Sequence, residues 1–118
     1  MSNPEFNKSE VFNFAESVEY ATGAIVSKTV LKKRTGNISL FAFDKGQELS
    51  EHTAKFDAVI QVLDGKAEIS ISRNPFVLAI GETIILPANI PHEVRAVEKF
   101  KMLLTMIKDE AESVKYKL

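Results

Sequence analysis

The sequence predicts an all-β barrel or sandwich, and two observations carry that prediction. From Ala24 onward, apolar residues come in short stretches rich in β-branched side chains, broken by Gly, Asn, Asp and Pro. Strands separated by turns leave this pattern, whereas helices leave longer stretches with a 3.6-residue period. The second observation is length: 118 residues enclose one hydrophobic core but are too few for two ordinary domains.

Taken in order, residues 1–20 are expected to form an N-terminal arm. Its first ten residues are polar and carry a Pro, and Val11–Tyr20 reads as a short helix or an irregular segment packed on the domain. The barrel spans about residues 24–107, with eight candidate strands: Ala24–Leu31, Ile38–Phe43, Ala58–Leu63, Ala67–Ser72, Phe76–Ile80, Thr83–Leu86, His92–Val97 and Phe100–Ile107. Ala67–Ser72 alternates apolar and polar residues strictly, as a half-buried strand does. Asp64-Gly65 before it reads as a hairpin turn, because Gly accepts positive φ, so Val59–Leu63 is expected to pair with Ala67–Ser72. Asn74-Pro75 marks the next turn, Gly81 opens another strand, and Pro87 ends it by removing a ladder N–H. Residues 109–118 form a charged tail, either a terminal helix or a frayed end.

Composition removes several function classes. The formal net charge of -1 gives no electrostatic reason for binding nucleic acid or an anionic membrane. The one basic cluster, Lys32-Lys33-Arg34, sits beside Gly36 and Asn37 and reads as a solvated turn. There is no cysteine, which excludes disulfides, thiolate metal sites and Cys nucleophiles together. The opening MSNPEFNKSE has no apolar core of a signal peptide, and no apolar run reaches membrane-spanning length, so a cytoplasmic location is expected. The glycines are scattered and form no phosphate-binding loop, and nothing places a Ser in a strained turn beside a His.

Two spaced motifs carry the functional signal. Gly46 is followed after five residues by His52, and that segment closes at Gly65; downstream, Gly81, Pro87 and His92 recur at fixed spacings. These segments resemble the paired signatures of the cupin family over roughly Gly46 to Ala96. The resemblance implies a double-stranded β-helix, that is, a jelly-roll barrel. It also implies a metal site of three His and one Glu, and here the chain departs from the family. Ala54 stands at the second His position, Ala58 at the Glu position, Asn89 at a Gly and Ala96 at an Asn. His52 and His92 are the only histidines in the chain, and both fall on ligand positions of the family pattern.

On a strand, residues two apart share a face, so His52 and Ala54 are expected to point one way, and Ala58, Ile60 and Val62 to share the interior. The expected site is a barrel pocket with His52 and His92 as metal or ligand-orienting groups and Ala54, Ala58, Ile60 and Met102 as its wall. A divalent transition metal is expected to be held weakly or not at all, since two imidazoles leave most of the coordination shell to water or substrate. Asp57 is one residue out of register and needs a bulge to reach the site. Glu48 and Glu51 read as rim charges, Gln61 as facing away, and Phe41, Phe43, Phe56, Phe100, Met102 and Met106 as core filling. The plain alternative makes both histidines core residues satisfied by backbone or water. The leading functional reading is a protein that binds a small-molecule ligand. The others are a metal-dependent cupin enzyme of oxygenase or isomerase type, and a structural or regulatory dimer with a vestigial pocket. A homodimer is expected, through the free edge of Ala24–Leu31.

Overall fold

The computed structural model describes residues 6–108. Its elements are a single 3-10 turn, Phe14–Glu16, followed by eight strands. The strands are β1 (Ile25–Lys33), β2 (Gly36–Phe43), β3 (Glu48–His52), β4 (Asp57–Ile71), β5 (Asn74–Ala79), β6 (Thr83–Leu86), β7 (His92–Arg95) and β8 (Phe100–Ile107). All pairings are antiparallel, and they form a jelly-roll barrel of two facing layers joined by β4. One layer runs β1-β2-β8-β4-β6 and the other β5-β4-β7-β3.

The way β4 serves both layers corrects the expected hairpin. Val59–Leu63 and Ala67–Ser72 do not pair; they are two halves of one continuous strand. The first half pairs with β8 and β6, the second with β5 and β7. Gly65 does take positive φ, at 71°, but to turn the strand from one layer to the other. The ladder to β8 slips between Val62 and Asp64, and a Cβ on Gly65 would run into the Lys99 carbonyl oxygen. A bulge and a tight turn make the same demand on backbone conformation, so Asp-Gly signals both.

Two further corrections concern short elements. The turn after β4 is made by Ser72 and Arg73, with φ of 51° and 67°, while Asn74 and Pro75 already belong to β5. Pro75 sits opposite Ser70 and is tolerated because β5 pairs only with β4 among the described residues, leaving its other edge free. Strand β3, which the sequence reading omitted, is Glu-Leu-Ser-Glu-His; only Leu49 in it is partly buried. The tail at residues 109–118 lies outside the described residues.

The core lies between the layers. Ala58, Ile60 and Val62 are buried on one face of β4, and they pack with Ala67, Ile69, Val94 and Met102. At the closed end Phe43 and Phe100 stack with ring centroids 4.6 Å apart, both wholly buried. The N-terminal segment covers part of the outer face of the first layer, where Phe6, Phe14, Val18 and Tyr20 pack on Leu40 and Ala42. Two hydrogen bonds pin it: the Tyr20 hydroxyl donates to Asp64 Oδ2 at 2.6 Å, and Lys101 Nζ donates to the Ala15 carbonyl at 2.6 Å. Burial and the Asp64 carboxylate hold the Tyr20 hydroxyl well above the usual phenol range. Among the described residues, no helix is long and apolar enough to cross a membrane.

Candidate ligand site at the barrel mouth

His52 borders the barrel mouth because of a bulge. Leu49 stands opposite Val94 and His52 opposite His92, so Ser50 and Glu51 together face Glu93 alone. In a regular strand Glu51 would share the inward side with Leu49; the extra residue gives that side to His52 and sends Glu51 outward. Glu51 there lies 3.8 Å from the Arg73 guanidinium, and Glu48 is also exposed. Gln61 is half-buried opposite Thr83 and Leu103, out of phase with the inward Ile60 and Val62.

His92 is placed by the loop before β7. Asn89 takes φ of 65°, a left-handed conformation that Asn tolerates better than most non-glycine residues, which explains how it stands at the family's Gly position. Its amide donates to the Ala54 carbonyl at 2.7 Å, and the Ala88 amide donates to Asp57 Oδ1 at 2.7 Å. These bonds tie the loop bearing His92 to the loop bearing Ala54. They also give Asp57 its role: its carboxylate is exposed and holds a backbone amide at the rim. Ala54 lies beyond the end of β3, so its place beside His52 follows from this loop and not from strand alternation.

The two imidazoles are cross-strand partners with ring centroids 4.4 Å apart and an edge-to-face angle of 66°. His92 is buried, at 7% exposure, whereas His52 is exposed. Each Nδ1 lies at the carbonyl of the residue two before it, 2.7 Å to Ser50 for His52 and 3.3 Å to Ile90 for His92. A carbonyl only accepts, so each neutral ring carries its proton on Nδ1 and keeps its lone pair on Nε2. Burial, reinforced by the neighbouring His52, pushes the His92 pKa below the ordinary histidine value, against the opposing pull of the Ile90 carbonyl.

Both rings border a cavity of about 70 Å3, with Ala54, Ala58, Ile60 and Met102 also on its wall. Leu49, Leu86, Val94, Leu104 and Met106 complete the lining. The sequence reading had Met106 only as core filling; its position four residues after Met102 on one strand was the signal that both share a face. The four-ligand metal centre of cupins does not fit this site. Alanine occupies two of its positions, and no group of three His, Asp, Glu or Cys among the described residues could hold an ion.

A Cupin domain profile matches residues 39–108. This chain belongs to the cupin family. Among solved structures, this cupin is similar to a conserved protein of unknown function from Streptococcus pyogenes, with 37% identity and a TM-score of 0.86, covering 94% of this chain and 98% of that one. It is also similar to a Cupin 2 conserved barrel domain protein from Leptotrichia buccalis, with 46% identity and a TM-score of 0.80 over 82% of this chain. The match spans 47% of that longer chain, about half its length. An RmlC-like cupin from Shewanella frigidimarina shares the fold at 20% identity and a TM-score of 0.71, covering 89% of this chain and 96% of that one. No curated protein matches.

Proposed function

We propose that this cupin binds a small ligand at the barrel mouth through the Nε2 lone pairs of His52 and His92, with Ala54, Ala58, Ile60 and Met102 as an apolar wall. The observation that supports this reading most is the paired Nδ1 contacts, which leave two acceptors side by side in a cavity whose other walls are mostly apolar. Few polar groups set in an apolar wall are the usual make-up of a specific ligand site. The volume limits the occupant. A cavity of about 70 Å3 equals the liquid-volume share of roughly two water molecules. Drug-sized ligands need about 300 Å3 or more. The ligand is therefore a small molecule, or the end group of a longer one, that presents a hydrogen-bond donor or an electron-pair acceptor. A divalent metal would have two protein ligands here and would be held weakly.

The test is a thermal-shift screen of small organic molecules, up to about three non-hydrogen atoms, against the parent protein and two variants, His92→Ala and Ala58→Leu. The first variant removes an acceptor and the second fills the cavity. Compounds that raise the melting temperature of the parent alone support the reading. Compounds that stabilise all three proteins equally bind elsewhere and contradict it. We further propose a homodimer through β1, whose outer edge is unpaired among the described residues. Light scattering that returned 13.1 kDa throughout a micromolar dilution series would contradict that assembly.

A further inference from the structure

The poor fit of a divalent ion raises the question of which electron-pair acceptor the mouth does suit. Ala58, where the family places its carboxylate, stands directly opposite Met106 in the β4–β8 ladder, and both side chains line the cavity shared with His52 and His92. Opposed residues on one face of an antiparallel pair have Cβ atoms about 5 Å apart, so the space vacated at Ala58 is within reach of the Met106 thioether. Met102 lies on the same face of β8, deeper in the barrel and opposite Val62.

We propose that the mouth is a site for a soft monovalent ion of the copper(I) class, held by His52 Nε2, His92 Nε2 and Met106 Sδ. This rests on the reading of the two imidazoles as the binding groups and names the acceptor they serve. Thioether sulfur selects copper(I) over the harder divalent ions, and imidazole is compatible with it. Magnesium, calcium and manganese require oxygen donors, and no carboxylate lines the cavity. Charge argues the same way. Moving an ion into an apolar cavity has a Born cost that rises with the square of its charge, and no acidic side chain in the lining offsets it, so a monovalent ion suffers far less than a divalent one. The mixed nitrogen and sulfur donor set is thus a different site from the family's oxygen- and nitrogen-based one, built on the same two histidine positions.

Silver(I), a redox-inert stand-in for copper(I), provides the probe. The chain has three methionines, Met1, Met102 and Met106, so a protein labelled with 13C at the methionine methyls gives three signals, with Met1 as the internal reference. Titration in chloride-free buffer should move the Met106 signal to saturation at one equivalent while Met1 stays in place. Calorimetry should show silver(I) affinity falling at least tenfold in Met106→Leu, with zinc(II) affinity unchanged. An unmoved Met106 signal, which needs no variant, overturns the proposal. So does silver(I) affinity that survives Met106→Leu but is lost in His92→Ala; that outcome leaves the imidazoles as binding groups and removes the sulfur. Binding indifferent to both substitutions overturns the histidine reading as well.

Discussion

The closed end of the barrel and its mouth are built from the same strands but to opposite purposes. At the closed end, β4 bends at Gly65, Phe100 stacks on Phe43, and Val62, Ala67 and Ile69 fill the remaining space, all of them essentially without exposure. At the mouth the same β4 presents Ala58, β8 presents Met106, and the facing layer presents two histidines, with a cavity left between them. Aromatic rings stack at the closed end, whereas at the mouth Ala54 and Ala58 stand among larger side chains and leave a cavity of about 70 Å3. The difference teaches that one strand can close the core at Gly65 and leave a cavity beside Ala58, with Ala54 on the same wall.

If this division holds, damage at the two ends should differ in kind. The largest effect is expected at the closed end, where Phe100→Ala should lower unfolding free energy by about 3–5 kcal/mol, from lost burial and the cavity left behind. Urea denaturation measures it, and a loss below about 1 kcal/mol would show that the end is not the anchor. At the mouth, the double change Ala54→His with Ala58→Glu should rebuild the three-His, one-carboxylate shell of the family. Larger polar groups in place of alanine should lower apo stability by about 1–3 kcal/mol, and zinc, nickel or manganese should restore it by binding only the folded state. Melting curves with and without metal decide this, and absence of a metal-dependent gain over the parent would show that these alanines do not stand at the lost ligand positions.

The smallest effect separates the ends by pH. Because His92 has a folded pKa below its ordinary value, the unfolded chain binds more protons at this residue in the interval between the two values. Its contribution to stability is therefore complete above about pH 6.5, and it is lost as pH falls from there through the depressed folded value. Urea melts at pH 7.5 and 5.5 should show the decline in the parent and a smaller one in His92→Gln. An equal decline in both would assign the acid sensitivity to other groups.

The same contrast marks what was legible in the sequence. Strand alternation placed Ala58, Ile60 and Val62 on one buried face, and motif spacing set His52 and His92 in one family pattern, since both depend on local periodicity. Four features escaped. Asp64-Gly65 read as a hairpin because positive φ serves a reversal and a bulge alike. Strand β3 escaped because an edge strand with four exposed residues carries no apolar signal. The bulge at Ser50-Glu51, which turns His52 inward, arises from pairing with β7, a partner forty residues away that no local pattern reveals. Met106 reads as a packing residue because a methionine in a strand is most simply that; its spacing from Met102 signals the shared face, and its place beside Ala58 at the cavity depends on pairing with β4.

The central claim is that both imidazoles keep the Nδ1–H form and offer Nε2 as an acceptor at the mouth. With only two histidines in the chain, long-range 1H–15N spectra of the side-chain nitrogens at pH 8 resolve each ring without ambiguity once His52→Gln assigns them. The account predicts, for both residues, a protonated Nδ1 and an unprotonated Nε2 in the free protein, with the Nε2 signals moving when the cavity is filled. A protonated Nε2 on either ring, or Nε2 signals unmoved by an occupant that shifts the Ala54 and Ala58 methyls, would contradict it.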